Sequence, residues 1–249
     1  IIDDESFESN QIKILDLSNC INLKNIGMYA FTKNQIKQLK LPDNIEEIKW
    51  SAFWNCKIQI LDLSNCINLK NIDNSAFSDN QIEILDLSNC IKLKNIGIYA
   101  FTKNQIKQLK LPDNIEEIKW SAFLKNQIKI LDLSNCIKLK NIREAAFREN
   151  QIKHLKLPKN IEKIELSAFL NNKIEILDLS NCIKLKHIVF DAFSSNPLNE
   201  IKILDNIEIG YYKYLKNDLW TKFVIYYNDT DKKSGDYKLE NDEWKWYPL

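Results

Sequence analysis

A phenylalanine recurs through most of this chain at intervals of 22 or 24 residues. An alanine precedes all but the first of them, and the positions are Phe7, Phe31, Phe53, Phe77, Phe101, Phe123, Phe147, Phe169 and Phe193. A fixed period of this length indicates a stack of similar coils, each too small to bury its own apolar face. The sequence therefore predicts a solenoid in which these phenylalanines form one continuous buried row.

Two kinds of coil account for the two intervals. Residues 81–101 represent the long coil and residues 105–123 the short one, and only the third and fourth coils are adjacent long coils. Residues 23–53 and 93–123 differ only at Met28 versus Ile98, which indicates that a block of three coils was duplicated.

Each coil alternates apolar and polar residues around a Leu-x-Leu segment, such as Leu85 and Leu87. This alternation is typical of a short strand with one buried face, and no helical stripe is long enough for a helical crossover. We expect one continuous parallel sheet of about nine strands at about 4.8 Å spacing. One row of leucines should point inward at the same level in this sheet: Leu15, Leu39, Leu61, Leu85, Leu109, Leu131, Leu155 and Leu177.

An asparagine stands three residues after eight of the nine phenylalanines, and Cys56 takes the ninth position. Stacked turns have backbone groups that water cannot reach, and an Asn side chain both donates and accepts hydrogen bonds. We expect these side chains to bond backbone groups in the coils on either side. The positions are Asn10, Asn34, Asn80, Asn104, Asn126, Asn150, Asn172 and Asn196.

The cysteines predict structure rather than a metal site. Five of the six share one coil position after Leu-Ser-Asn, and none forms the compact C-x₂₋₄-C pair of a zinc site. Most lie two coils apart, about 10 Å by strand spacing, which is too far for a disulfide. We therefore expect reduced thiols that fill the core.

No pattern in the chain indicates catalysis or a cofactor. His154 and His187 occupy different coil positions, without a nucleophile or a carboxylate pair set apart from the repeat. Four glycines could hardly build a phosphate-binding loop. The sequence predicts no enzyme, no cofactor and no metal.

The charge balance also limits the partners. With 35 basic and 34 acidic residues the net charge is +1, so nothing indicates binding to nucleic acid or to an anionic membrane. No apolar run approaches the roughly 20 residues of a membrane span. The first residues resemble the tail of a repeat, so we expect a processed or truncated piece whose compartment cannot be read here.

Two outward rows on the Leu-x-Leu strands are the candidate contact surface. The middle row alternates in charge at seven of eight junctions and would neutralise itself, except where Asp62 meets Asp86. The row beside it places Ile60 next to Ile84, although Ile there could equally be a good strand former. The candidate partner-binding residues are Ile60, Asp62, Ile84, Asp86, His154, Trp50 and Trp120; the two tryptophans could be stacking platforms or simply cover the coil.

The segment 210–249 departs from the repeat and is rich in aromatic residues. Leu219, Phe223 and Tyr226 have helical spacing, whereas Tyr237 and Leu239 face Trp244 and Trp246 across a turn, as in a hairpin. An open solenoid end exposes its core, so a short helix and a hairpin are expected to cap the solenoid of residues 1–209. A carbohydrate-binding aromatic face is the alternative.

The unit Leu-Lys-Leu-Pro-x-x-Ile-x-x-Ile-x-x-x-Ala-Phe, as in residues 109–123, resembles the BspA-like (treponemal type) leucine-rich repeat. Cys56 sits where that repeat often carries Cys, although the Asn-Cys long coils and low glycine content depart from the pattern. The resemblance implies a leucine-rich-repeat solenoid of the α/β repeat class, mostly parallel β with short turns and little helix.

The same resemblance implies a surface or secreted protein linked to adhesion. We therefore expect a non-enzymatic scaffold that binds a protein partner through its parallel-sheet face. A carbohydrate-binding or purely structural spacer that uses the aromatic C-terminal segment remains the alternative.

Overall fold

The computed structural model describes residues 1–210 and 218–248. Each coil contributes two short strands, which flank a single apolar core. The first-strand row holds the Leu-x-Leu segments: β1 (Ile14–Asp16), β3 (Gln38–Lys40), β5 (Ile60–Asp62), β7 (Ile84–Asp86), β9 (Gln108–Lys110), β11 (Ile130–Asp132), β13 (His154–Lys156), β15 (Ile176–Asp178) and β17 (Glu200–Ile203).

The second-strand row holds two-residue strands that end in isoleucine. These are β2 (Asn25–Ile26), β4 (Glu47–Ile48), β6 (Asn71–Ile72), β8 (Asn95–Ile96), β10 (Glu117–Ile118), β12 (Asn141–Ile142), β14 (Lys163–Ile164), β16 (His187–Ile188) and β18 (Glu208–Ile209). The chain is thus a parallel β-solenoid, as the repeat predicts.

The continuous sheet is not the one that the sequence analysis expects. All nine strands of the second-strand row form one parallel sheet, whereas the first-strand row divides into β1–β3–β5, β7–β9, β11–β13 and a group beginning β15–β17. The predicted leucines nevertheless point into the core, where Leu39, Leu85 and Leu177 are buried. The expectation was therefore right about the direction of these side chains and wrong about the hydrogen bonding between the strands.

Coil length affects the two strand rows differently. Eleven positions lead from Leu85 to Ile96 in a long coil, but only nine lead from Leu109 to Ile118 in a short one. The segment that follows a first-row strand therefore differs in length between long and short coils, whereas the turn that follows a second-row strand has the same length in every coil. Two of the three breaks follow the short coils of β9 and β13, whereas the short coil of β3 stays paired with β5. The third break separates the like-charged Asp62 and Asp86.

The turns around each phenylalanine contain non-glycine residues in a backbone conformation that usually favours glycine, and hydrogen bonds between coils hold them there. Residues two before and two after the phenylalanine have left-handed backbone, as at Tyr99 (φ 56) and Lys103 (φ 53), except that Asp191 before Phe193 does not. Alternate N–H groups then donate to the next coil, with Phe101 N bonded to Ala122 O at 2.9 Å and Lys103 N to Leu124 O at 2.9 Å. These bonds stabilise the left-handed conformation, which costs about 1–2 kcal/mol for an L residue.

The phenylalanine row forms the continuous buried stack that the repeat predicts. Neighbouring ring centroids lie between 5.2 Å and 5.7 Å apart, with interplanar angles of 8° or less from Phe7 to Phe193. Phe31, Phe53, Phe77, Phe101, Phe123, Phe147, Phe169 and Phe193 are fully buried.

The asparagine row is buried and hydrogen-bonded, but in one direction only. Asn104 Nδ2 donates to Phe77 O at 2.9 Å and to Phe101 O at 3.2 Å, and its Oδ1 accepts from Ile82 N at 3.1 Å. Asn34, Asn80, Asn126, Asn150, Asn172 and Asn196 repeat this pattern. Each side chain thus bonds its own coil and the preceding one, not both neighbours as expected, because the amide points back along the stack.

All six cysteines are free thiols. Burial raises the pKa of Cys56, Cys66, Cys90 and Cys182 to about 12 and that of Cys136 to about 11. Cys20 departs from the expectation of buried thiols, since it lies in the first coil and is exposed. A neutral buried thiol is a poor nucleophile, so the five buried cysteines act as small core residues.

The C-terminal segment forms the helix α1 (Leu219–Asp229) and the strands β19 (Gly235–Glu240) and β20 (Glu243–Tyr247), while residues 211–217 of the expected cap lie outside the described residues. The hairpin pairs Tyr237 with Trp246 and Leu239 with Trp244, as its pattern predicts. Strand β19 adds antiparallel to β17.

The helix lies directly on the last phenylalanine. The Trp220 ring packs on Phe193 at 5.1 Å, and its indole donates to Phe190 O at 2.7 Å. Asp218 joins helix and coil, since its carboxylate accepts from Thr221 N at 2.9 Å and from Ser195 N at 2.7 Å. The segment therefore covers the C-terminal face of the solenoid with aromatic rings.

Candidate interaction surface

Four of the seven predicted partner-binding residues line one groove. Ile60 and Asp62 come from β5, and Ile84 and Asp86 come from β7. The groove has a volume of about 660 Å³ and follows the break between these two strands. The structure thus brings together the two isoleucines and the two aspartates that the sequence places on adjacent coils.

The floor of the groove is apolar because two long coils are adjacent here. Ile60 and Ile84 are each 57% exposed, and both start their strands. At every other first-row junction one neighbour at this position is polar: Gln38, Gln108, His154 or Glu200. Paired exposed isoleucines on adjacent first-row strands therefore occur only at this junction.

The two aspartates in the groove differ in their partners. The hydroxyl and backbone N–H of Ser64 lower the pKa of Asp62, with burial opposing them and Lys40 adding a smaller effect. Burial raises the pKa of Asp86, but hydrogen bonds from Ser88 and Lys110 outweigh it and the net pKa is lowered. Both carboxyl groups are therefore ionised at neutral pH.

The middle outward row of the Leu-x-Leu strands, which alternates in charge, forms fewer ion pairs than its alternation predicts. Lys110 pairs with Asp86 at 2.9 Å and Lys156 with Asp132 at 3.6 Å, but Lys202 turns to Glu200 and to Asp236 of the hairpin. Within the described residues, Asp62 has no ion pair within 4.0 Å. Exposed lysine side chains lose entropy when they are held, which explains why few of these pairs form.

Polar side chains that the sequence analysis missed complete the rim. Gln59 Nε2 donates to Gln81 Oε1 at 3.0 Å, and Glu83, which also lines the groove, pairs with Lys107 at 2.9 Å. Nothing in a single coil distinguishes these residues; they become part of a site only because adjacent coils bring them together.

A second row of exposed isoleucines was also missed. Each long coil exposes the isoleucine that follows its Asn-Cys pair: Ile21, Ile67, Ile91, Ile137 and Ile183. The sequence shows that these isoleucines share one coil position. Because that position lies in a turn rather than a strand, the pattern did not predict whether the side chains point inward or outward. Ile137 and Ile183 line a second groove of about 610 Å³ with Lys156 and Asp178.

The other three predicted residues lie apart from the first groove. His154 is exposed at the start of β13, on a distant coil. Trp50 and Trp120 are about half exposed in the turns that follow β4 and β10, and each contacts a tyrosine ring, at 5.1 Å for Tyr29 and 5.4 Å for Tyr99. The structure therefore separates these residues from the Ile60–Asp86 groove.

The described part of the chain holds no group of three or more His, Cys, Asp or Glu side chains placed to bind a metal ion. No helix in residues 1–210 and 218–248 combines the length and apolar character needed to cross a bilayer.

The repeat geometry, the phenylalanine stack and the paired strands define a leucine-rich-repeat scaffold. The model of the BspA type leucine-rich repeat region matches residues 1–130 and 121–231 in six copies. The chain belongs to this family.

Three solved structures are similar to this chain. A leucine-rich repeat protein from Bacteroides ovatus is 20% identical over 86% of this chain and 68% of its own, with a TM-score of 0.44. The pneumococcal vaccine antigen PcpA is 20% identical over 86% of this chain and 64% of its own, with a TM-score of 0.46.

A leucine-rich cell surface protein from Faecalibacterium prausnitzii is 16% identical over 88% of this chain and 65% of its own, with a TM-score of 0.32. The chain thus spans about two thirds of each of these three structures. No curated protein matches the chain.

Proposed function

We propose that this chain is a non-enzymatic interaction scaffold whose Ile60–Asp86 groove binds a protein partner. The main support for the proposal is that two exposed isoleucines lie side by side next to an aspartate that has no ion pair among the described residues. Contiguous apolar surface with a polar rim is typical of protein-binding sites. An adhesive role at the cell surface or after secretion is supported by membership of the BspA-type family.

The chemistry of the groove favours a partner that presents a basic side chain beside an apolar one. Asp62 offers its carboxylate without first losing a lysine partner, whereas Asp86 is already paired with Lys110. An arginine or lysine stem could pack along Ile60 and Ile84 while its charged end reaches Asp62.

Matched isoleucine variants test this proposal. Ile60→Ser with Ile84→Ser removes the paired patch, and Ile130→Ser with Ile176→Ser removes equally exposed isoleucines from coils that are not adjacent. Peptides selected from a random library against the intact chain should lose at least about tenfold in affinity with the first variant and little with the second. Equal losses, or selected peptides without basic residues, would show that the groove is not the site.

The location of the protein is tested separately. Protease treatment of intact source cells should remove the chain if it is displayed at the surface, and the culture medium should contain it if it is secreted. Full protection in intact cells, with none in the medium, contradicts a surface role.

The C-terminal segment gives little support to the alternative function, a carbohydrate-binding spacer. Trp220, Phe223, Tyr227 and Tyr237 are fully buried in the described part of this segment, and Trp244 is nearly so. Their ring faces are therefore used for packing rather than presented to a sugar.

A further inference from the structure

Two tryptophans differ from the other four in their hydrogen bonding. The indole N–H groups of four tryptophans each donate to a named acceptor: Trp54 to Asp79 Oδ2, Trp220 to Phe190 O, Trp244 to Leu219 O and Trp246 to Ser234 O. Within the described residues Trp50 and Trp120 make no such bond, and they are 45% and 44% exposed. Both indoles therefore retain a free donor and an accessible ring face.

The surroundings of Trp120 form a small cavity with fixed polar groups. It has a volume of about 270 Å³ and is lined by Ile98, Glu117, Lys119, Trp120, Arg143, Glu144 and Glu165. Arg143 is held from two sides, with Nη2 at 2.9 Å from Glu117 Oε1 and Nη1 at 3.0 Å from Glu165 Oε1. Neighbouring second-row strands β10, β12 and β14 therefore place a planar, oriented guanidinium beside an aromatic ring.

The charges of this cavity favour a neutral ligand. Arg143 engages the carboxylates of Glu117 and Glu165, and the other two charged lining residues, Lys119 and Glu144, have opposite signs. The lining therefore has no excess of acidic groups that would enclose a cation over the Trp120 ring. The volume lies just below the range for drug-sized ligands, which suits a unit of about one ring.

We propose that the Trp120 cavity binds one neutral pyranose ring of a glycan. The C–H bonds on one face of a pyranose carry partial positive charge and pack against the negative face of an aromatic ring. Its hydroxyl groups both donate and accept, which matches the indole N–H, the Arg143 donors and the glutamate oxygens. This site lies on the second-strand row and does not depend on the protein-binding groove.

The chain contains its own comparison site at Trp50. Residues 23–53 and 93–123 are almost identical, so Trp50 pairs with Tyr29 as Trp120 pairs with Tyr99. The following coil differs, because Asp73 and Asn74 replace Arg143 and Glu144. The Trp50 site therefore offers the same aromatic face without the fixed guanidinium, and we expect it to bind a sugar at least about tenfold more weakly.

Saturation-transfer NMR on the full chain tests the proposal. The probes are the methyl glycosides of glucose, galactose, mannose and N-acetylglucosamine, with choline as a cationic comparison. We expect transfer to the ring C–H protons of at least one glycoside. Trp120→Ala and Arg143→Ala should each weaken this binding by about tenfold or more, whereas Trp50→Ala should leave it nearly unchanged.

Trp120→Phe distinguishes a stacking contact from general damage, because it keeps an aromatic face and should retain part of the binding. Thermal melting of each variant shows whether the coil is intact, and the half-exposed Trp120 should tolerate both substitutions. The proposal is overturned if none of the four glycosides binds, if Trp50→Ala causes the same loss as Trp120→Ala, or if choline binds in their place.

Discussion

The two ends of the phenylalanine row place the same residue in different surroundings. Phe7 stacks on Phe31 at 5.2 Å but is 43% exposed, since within the described residues Phe31 is the one ring stacked on it. Phe193 stacks on Phe169 at 5.2 Å and is fully buried beneath Trp220. The rings are alike and their stacking distances are equal, so only the second neighbour distinguishes them.

The asparagines differ in the same way. Asn10 is exposed, and its one side-chain hydrogen bond within the described residues is the bond it donates to Glu8 O at 3.2 Å. Asn196 is buried, with Nδ2 donating to Phe169 O at 3.0 Å and to Phe193 O at 2.8 Å, while Oδ1 accepts from Ile174 N at 3.0 Å. The comparison teaches that the contribution of a repeat position depends on its neighbouring coils, as expected for a one-dimensional stack.

Deleting residues 210–249 should have the largest effect. The deletion exposes Phe193 and the edge of β17, and each fully buried aromatic ring is worth about 4–6 kcal/mol as an upper bound. The truncated chain should melt at a lower temperature and self-associate, as shown by sedimentation. Deleting residues 1–10 should change the melting temperature much less. A truncated chain that stays monomeric with an unchanged melting temperature would show that the segment is a separate appendage.

Substitution of the two terminal phenylalanines sharpens the comparison. Phe193→Ala should lower the free energy of unfolding by about 3–5 kcal/mol because it opens a cavity under Trp220. Phe7→Ala should cost about 1 kcal/mol, since its ring is already partly hydrated. Urea denaturation followed by circular dichroism measures both values. Equal losses would mean that the Trp220 contact adds nothing to the stack.

The asparagine pair should show a smaller difference. Asn196→Ala leaves two buried carbonyl groups and one buried N–H without their partner and should cost about 3 kcal/mol. Asn10→Ala should cost less than about 0.5 kcal/mol, because water can replace its exposed bond. The same denaturation experiment applies, with the corresponding Asp variants as controls that keep the acceptor but lose the donor. If Asn196→Asp is as stable as the unaltered chain, the donor bonds are unimportant.

The smallest effect concerns backbone strain in the turns. Ser9 (φ 54) and Ser195 (φ 58) stand two residues after Phe7 and Phe193, both in the left-handed region. Ser195→Gly should stabilise the chain by about 0.5–1 kcal/mol by relieving that strain. Ser9→Gly should gain less, because an end coil can open before the rest unfolds. Amide hydrogen exchange of the two turns measures this, and a larger gain at Ser9 would contradict the assignment of the weaker end.

The candidate site was only partly accessible from the sequence. The adjacency of two long coils predicted that Ile60 and Ile84 would lie side by side and outward, and in the structure both are exposed and line one groove. Their role in binding a partner stays a prediction. The sequence did not show that Asp62 would lack an ion pair, because lysine side chains choose among several acceptors at similar distances. The Arg143 clamp beside Trp120 was missed since it joins residues from three coils.

The sequence by itself determined the period, the inward leucines, the phenylalanine stack and the hairpin register. The first three follow from a residue pattern that every coil repeats, and the hairpin register follows from the alternation of apolar and polar residues on either side of its turn. Only the tertiary structure decided which strand row forms the continuous sheet, which way the asparagines point and which charges pair. Those outcomes depend on the paths of the connecting segments and on which of several alternative hydrogen bonds and ion pairs forms between neighbouring coils. The free energies of these alternatives are similar, so the residue pattern of a single coil does not distinguish them.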